Sequence, residues 1–200
     1  MNRAVFIDRD GVVTQEPPYY AHKLSELNFV ANAAHAIGLL NRNGFLVIVV
    51  SNQAGIAHGY YEEEETILFN QAVEELLSKI GAHIDATYYC PHHPQARIER
   101  YRVKCHCRKP EPGMLIRARE ELNVDLSQSF MIGDKWSDIE AGKRVGCKTI
   151  MVKTGQGVEE LKTKQIECDY VADDLYDAVE HILFSCTEAE EDHTNADDGL

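Results

Sequence analysis

The chain has 200 residues, of which 44% are hydrophobic, enough for one compact α/β core without covalent staples. Thirty-three acids against twenty Lys and Arg give a formal charge of −13. Six of those acids lie in the last sixteen residues, and the −7 that remains still repels a nucleic-acid backbone or an anionic membrane. A broad polyanion-binding surface is thereby excluded; a small basic pocket is not. Neither a secretory leader nor an apolar run of bilayer-spanning length occurs, so a cytoplasmic protein with reduced thiols is expected.

Short apolar runs alternate with helical patterns along the chain. Residues 4–7 predict a buried strand, and Phe45 to Val50 predicts a second, covered on both faces. Further strands are expected over 84–89, 130–132 and 149–152. Helices are expected near 32–42, 62–80, 113–122 and 136–145, with a last one over 174–184. Gly44, Gly81 and Gly146 follow three of these as C-terminal caps. Such alternation predicts a three-layer, Rossmann-like parallel sheet with helices on both faces. The acids Glu62 to Glu65 read as a solvated first turn that complements the helix dipole. Cys147, Cys168 and Cys186 read as ordinary packing or surface thiols. One domain over 1–186 is expected, followed by an acidic, disordered tail over 187–200.

The strand ends carry the chemistry. Phe6-Ile7 runs directly into Asp8-Arg9-Asp10-Gly11, placing two carboxylates where open α/β sheets bind ligands. In extended chain Asp8 and Asp10 point the same way, and two close carboxylates invite a hard cation such as Mg²⁺. The second strand ends in Ser51-Asn52-Gln53, a hydroxyl and two amides able to bind phosphate oxygens. Arg108-Lys109 supplies cations before the helix that opens at Gly113. The fourth strand ends in Gly133-Asp134-Lys135, with Asp138 four residues beyond Asp134. Cys90-Pro91-His92-His93 precedes Cys105-His106-Cys107 by twelve residues. Cys90, His92, Cys105 and Cys107 are the ligands expected of a closed, structural Zn²⁺ site on the loop that delivers Arg108 and Lys109.

The four strand-end motifs together resemble the haloacid dehalogenase superfamily of phosphotransferases, over nearly residues 1 to 184. That resemblance implies Asp8 as nucleophile, Asp10 as general acid and base, and Ser51 and Lys109 as holders of the phosphoryl oxygens. It implies Mg²⁺ on the Asp8 carboxylate, the Asp10 backbone carbonyl and Asp134, with Asp138 supporting. The added zinc loop is similar to the branch containing heptose bisphosphate phosphatases and histidinol-phosphate phosphatases. The length of the loop and Cys-x-Cys-Arg-Lys-Pro-x-Pro-Gly-Met favour the heptose enzymes, though Ser51 stands where they often have threonine. The expected substrate is then D-glycero-D-manno-heptose 1,7-bisphosphate, dephosphorylated at position 7 for surface-glycan precursors. Substrate contacts would come from Glu16, Pro17, Pro18, Tyr19, Ser51, Asn52, Gln53, Ala54, Arg108, Lys109 and Lys135. Histidinol phosphate is the nearest alternative, a polynucleotide 3′-phosphate a third, and a catalytically dead binding protein a fourth. The spacing leaves no room for a separate cap domain, and a monomer is expected.

Overall fold

The computed structural model describes residues 1–16 and 23–197, with side chains as far as Thr187. Six parallel strands form one sheet: β1 (Ala4–Ile7), β2 (Leu46–Asn52), β3 (Ala86–Cys90), β4 (Phe130–Gly133), β5 (Lys148–Val152) and β6 (Tyr170–Ala172). Their order is β3-β2-β1-β4-β5-β6. The chain therefore builds outward from β1 to β3, then returns to lay β4 against β1. That reversal opens a crevice at the carboxyl ends of β1, β2 and β4.

Seven helices connect and cover the strands: α1 (Ala33–Arg42), α2 (Ala54–His58), α3 (Glu63–Ser78), α4 (Gly113–Leu122), α5 (Trp136–Lys143), α6 (Gly157–Thr163) and α7 (Leu175–Asp197). The two-residue period of β1 divides the core. Val5 and Ile7 face Ile37, Leu40, Phe69, Val73, Leu77, Val179 and Ile182 of α1, α3 and α7. Ala4 and Phe6 face Met114, Leu115, Ala118 and Ala141 of α4 and α5. Burial on both faces explains the unbroken apolar run of β2.

The five expected strands and five expected helices are present, with ends displaced by a few residues. The hydrophobic pattern does not reveal α2, α6 or β6, because elements of five, seven and three residues are too short to show a period. The last helix runs further than its expected end near 184: α7 continues to Asp197. From Leu175 to Asp197 the sequence has no Gly or Pro, and its Ala and Glu residues favour helix even where nothing apolar remains to bury.

Candidate active site

The alternation that sorts the core also sorts the residues just past β1. Arg9 continues the Val5–Ile7 side, where its guanidinium lies 4.6 Å over the ring of Phe69 and donates to Asn70 Oδ1 at 2.9 Å. Asp8 continues the Phe6 side and meets Lys109. The Lys109 ammonium lies 2.9 Å from Asp8 Oδ1 and 2.7 Å from Asp138 Oδ1, and it donates to the Val50 carbonyl at 2.6 Å. Burial opposes the charge on this lysine, but the Asp138 and Asp8 carboxylates outweigh burial and raise its pKa above the ordinary lysine range. Lys109 is thus a buried, charged cation between Asp8 and Asp138.

Asn52 fixes where that cation enters. Its side-chain amide donates to the Lys109 carbonyl and accepts from the Lys109 amide, both at 3.0 Å. Gln53 is equally committed: Nε2 donates to Asp10 Oδ2 at 2.9 Å and to Ser51 Oγ at 2.8 Å, while Oε1 accepts from Tyr61 at 2.7 Å. Both Nε2 hydrogens of Gln53 are thus engaged within the protein, whereas Asn52 Nδ2 keeps a second N–H beyond its bond to Lys109. Ser51 is buried beside Asp10 through Gln53, and Ala54 starts α2.

Asp10 is held from several sides. Arg9 Nε and Nη2 donate to its two carboxylate oxygens at 2.9 Å each. The Thr14 hydroxyl adds a contact of 3.3 Å. Burial alone would raise this carboxyl, but the charge and hydrogen bonds of Arg9, helped by Gln53, hold it below the usual carboxylate range. Arg9, Thr14 and Tyr61 are site residues that sequence reading passes over. Only the arginine between the two aspartates offered a signal, and its partners lie up to 61 positions away.

Asp134 and Asp138 are fully buried at the end of β4 and in α5. Asp134 Oδ2 accepts from the Gln156 amide at 2.8 Å. Its Oδ1 is buried with no hydrogen-bond partner among the described residues, and the Lys135 ammonium is 3.6 Å away. Burial raises Asp134 to about 8, with Lys135 opposing and Asp8 and Asp138 adding to the rise. Asp138 is raised to about 6, again first by burial, with Lys109 opposing. Ligand oxygens of Asp8, Asp134 and Asp138 lie within 4.8 Å of one another. Three crowded carboxylates and an orphaned buried oxygen fit a hard divalent cation, which would supply the orphaned Asp134 oxygen with a partner.

Glycines at 11 and 155 make room for that cluster. Gly11 has φ +91°, and a β-carbon on it would stand 2.4 Å from Asp134 Oδ2. At Gly155, φ is +56° and the corresponding distance is 2.2 Å. Lys135 leans the other way, donating to Glu16 Oε1 at 3.1 Å, while Gln156 Nε2 donates to Glu16 Oε2 at 2.9 Å. Burial opposes the Lys135 charge, yet Asp8, Asp134 and Glu16 raise its pKa above the ordinary lysine range. Pro17, Pro18 and Tyr19 lie outside the described residues.

The four zinc-ligand candidates converge behind Lys109. Cys107 Sγ is 3.0 Å from Cys90 Sγ, 3.2 Å from Cys105 Sγ and 3.4 Å from His92 Nδ1. Cys90 Sγ is 3.5 Å from Cys105 Sγ and 3.6 Å from His92 Nδ1. A tetrahedron with metal–sulfur bonds near ~2.3 Å has edges of about 3.8 Å, so this donor set fits a closed zinc site after slight expansion. Arg108 Nη1 donates to the His92 carbonyl at 3.1 Å, tying the residue before Lys109 to the loop.

This geometry has close relatives. A D-glycero-beta-D-manno-heptose-1,7-bisphosphate 7-phosphatase of Pasteurella multocida is 39% identical over 178 residues, covering 88% of this chain and 95% of the relative. The chain belongs to this phosphatase family. Its Escherichia coli K12 member is 38% identical over 157 residues, 78% of this chain and 81% of that protein. The HAD-hydrolase-like family model matches residues 106–178, the stretch carrying Lys109, Asp134 and Asp138. In fold, the D,D-heptose 1,7-bisphosphate phosphatase of B. bronchiseptica, crystallised with magnesium and phosphate, superposes with a TM-score of 0.84 at 29% identity. That match covers 92% of this chain and 99% of the other. The architecture and phosphatase chemistry expected from the strand-end motifs are those of the family.

Proposed function

We propose that this protein hydrolyses the 7-phosphate of D-glycero-β-D-manno-heptose 1,7-bisphosphate through an aspartyl-phosphate on Asp8. The observation that carries the reading is the buried Asp8–Lys109–Asp138 triad beside an orphaned Asp134 oxygen, in a chain that aligns with named heptose bisphosphatases over most of its length. An Asp8 carboxylate oxygen attacks the 7-phosphorus, and the bond to the C7 oxygen breaks. Asp10 gives a proton to that departing alkoxide. It then takes one from the water that attacks phosphorus and releases the Asp8 carboxylate and inorganic phosphate. Lys109, already between Asp8 and Asp138, and the Ser51 hydroxyl stabilise the phosphoryl oxygens as charge shifts onto them. Asn52 keeps Lys109 in register, and Gln53 keeps Asp10 beside Ser51.

Mg²⁺ would be held by the carboxylates of Asp8 and Asp134 and the carbonyl of Asp10, supported by Asp138, and would neutralise charge on the phosphoryl group. The B. bronchiseptica relative contains magnesium and phosphate, which supports this choice of metal. Zn²⁺ on Cys90, His92, Cys105 and Cys107 would be structural, because four protein ligands leave no open position. Reduced thiols at that site favour a cytosolic location, and a catalytic set drawn from one chain is compatible with a monomer. Lys135 and Arg108 would meet the sugar-phosphate side of the substrate.

A steady-state panel tests the reading: both anomers of the bisphosphate, histidinol phosphate and a 3′-phosphorylated oligonucleotide. The β-bisphosphate is expected to have the highest kcat/KM. A preference for histidinol phosphate or for the oligonucleotide would refute the proposal.

A further inference from the structure

One strip of cationic and N–H-bearing side chains stands together beside the zinc-ligand loop. Among the described residues Arg108, His93, His58 and Arg97 make no ion pair, whereas ten of the twenty arginines and lysines do. The strip is continuous. Arg108 donates to the carbonyl of His92, the residue before His93. The rings of His93 and His58 are 4.9 Å apart, His58 is 5.9 Å from Tyr60, and the Arg97 guanidinium lies 5.5 Å over Tyr60.

The hydrogen bonds settle what His93 offers. Its Nδ1 accepts from the Gln95 amide at 3.1 Å, which places the ring proton on Nε2. That N–H has no partner among the described residues. His58 closes α2, the helix that begins immediately after Gln53, and Gln53 touches Asp10 and Ser51. His58 therefore lies one short helix, about 7–8 Å of helical rise, beyond Gln53. The strip's other end is the residue adjoining Lys109.

We infer that His58 and His93, with Arg108, bind the phosphate that is not removed, and so make the site selective for a doubly phosphorylated sugar. The inference rests on the substrate reading above and adds two specificity-determining residues to it. A phosphate at the far end of a seven-carbon sugar needs N–H donors set one short helix away from the nucleophile, free of competing carboxylates. Imidazole N–H groups beside a guanidinium supply them.

The test compares kcat/KM for the heptose 1,7-bisphosphate with that for heptose 7-phosphate, which presents the same reacting group without the second phosphate. His58→Ala and His93→Gln are each expected to lower the ratio of the two about tenfold. His58→Arg, which restores N–H donors, should return it to within twofold of the wild type. Zinc content is measured for His93→Gln, whose neighbour is His92; if zinc is lost, the His58 variants decide. A ratio unchanged in His58→Ala, or an equal fall on both substrates, overturns the inference while leaving the substrate reading intact. A wild-type enzyme that does not favour the bisphosphate overturns both.

Discussion

In the proposed mechanism Asp10 gives up a proton in one half-reaction and regains it in the next, yet Arg9, Gln53 and Thr14 all donate to its carboxylate. Such a set keeps the side chain in place and favours its charged form, ready to act as base. Its work as an acid is then needed most when the leaving group is a poor one. Asp10→Asn is expected to slow sugar-phosphate turnover by about 10²–10⁴-fold. The loss should be much smaller with p-nitrophenyl phosphate, whose phenolate departs without a proton. Steady-state rates on the two substrates check this, and equal losses would remove Asp10 from its acid role. A second prediction concerns a residue with no functional group at all. Gly155→Ala forces a β-carbon toward Asp134 Oδ2 at a positive φ, so the carboxylate must move. The Mg²⁺ concentration for half-maximal rate should rise about 10–100-fold. Titrating activity with Mg²⁺ measures it.

Among the elements, α3 does more than its sequence suggests. The four-acid run reads as a solvated helix start, and Glu62 and Glu65 behave so, with the Glu62 amide donating to the Glu65 carboxylate. Glu63 is different: it accepts from Tyr89 of β3 at 3.0 Å and from Tyr101 of the zinc loop at 2.5 Å. Glu63→Ala removes the acceptor for both hydroxyls and is expected to cost about 1–3 kcal/mol in denaturant unfolding. Burial, then hydrogen bonding to carboxylates, pushes Tyr88 and Tyr89 up to about 12. The folded state therefore favours neutral tyrosine. This contribution is fully present below the unfolded tyrosine pKa of about 10 and is lost as pH rises through about 12. Thermal melts between those limits should show the fall, and it should be smaller in Glu63→Ala. The same helix shows which features sequence can and cannot reveal. Asp8, Ser51 and Asp134 were legible because each follows an apolar run, Lys109 because it precedes a helix start, and Cys90-x-His92 and Cys105-x-Cys107 because their spacing suits ligand pairs. Glu63 and the Arg9–Asn70 contact were not legible, because one acid in a run looks like the next until tertiary packing selects it. The elements α2, α6 and β6 were missed because they are too short to carry a period.

At the scale of the whole molecule, the net charge of −13 opposes long-range attraction of anions and leaves the anion site to be assembled locally. Assembly depends on a long loop. Lys109 crosses from the stretch between β3 and α4 to reach Asp8 beyond β1 and Asp138 on α5, so one ammonium joins three parts of the sheet. The loop that delivers it has few buried apolar side chains, chiefly Ala96 and Tyr101 packed with Ile56, Ala57 and Tyr61. A cluster that small cannot offset the backbone entropy of ordering residues 91–108, which costs about 1–2 kcal/mol per residue. A tetrahedral zinc would offset a large share of that cost, on the order of 10 kcal/mol or more for structural sites of this type. Stripping zinc with a thiol-competitive chelator should therefore lower the melting temperature and abolish most activity together. Re-adding Mg²⁺ alone should restore neither, and re-adding Zn²⁺ with Mg²⁺ should restore both. Removing Mg²⁺ alone should stop turnover with little change in melting temperature, because the sheet and both core layers are complete without it. Metal analysis alongside thermal melts and rates separates the two ions. Zinc-free protein that keeps its melting temperature and its rate would show that the loop holds Lys109 in place unaided.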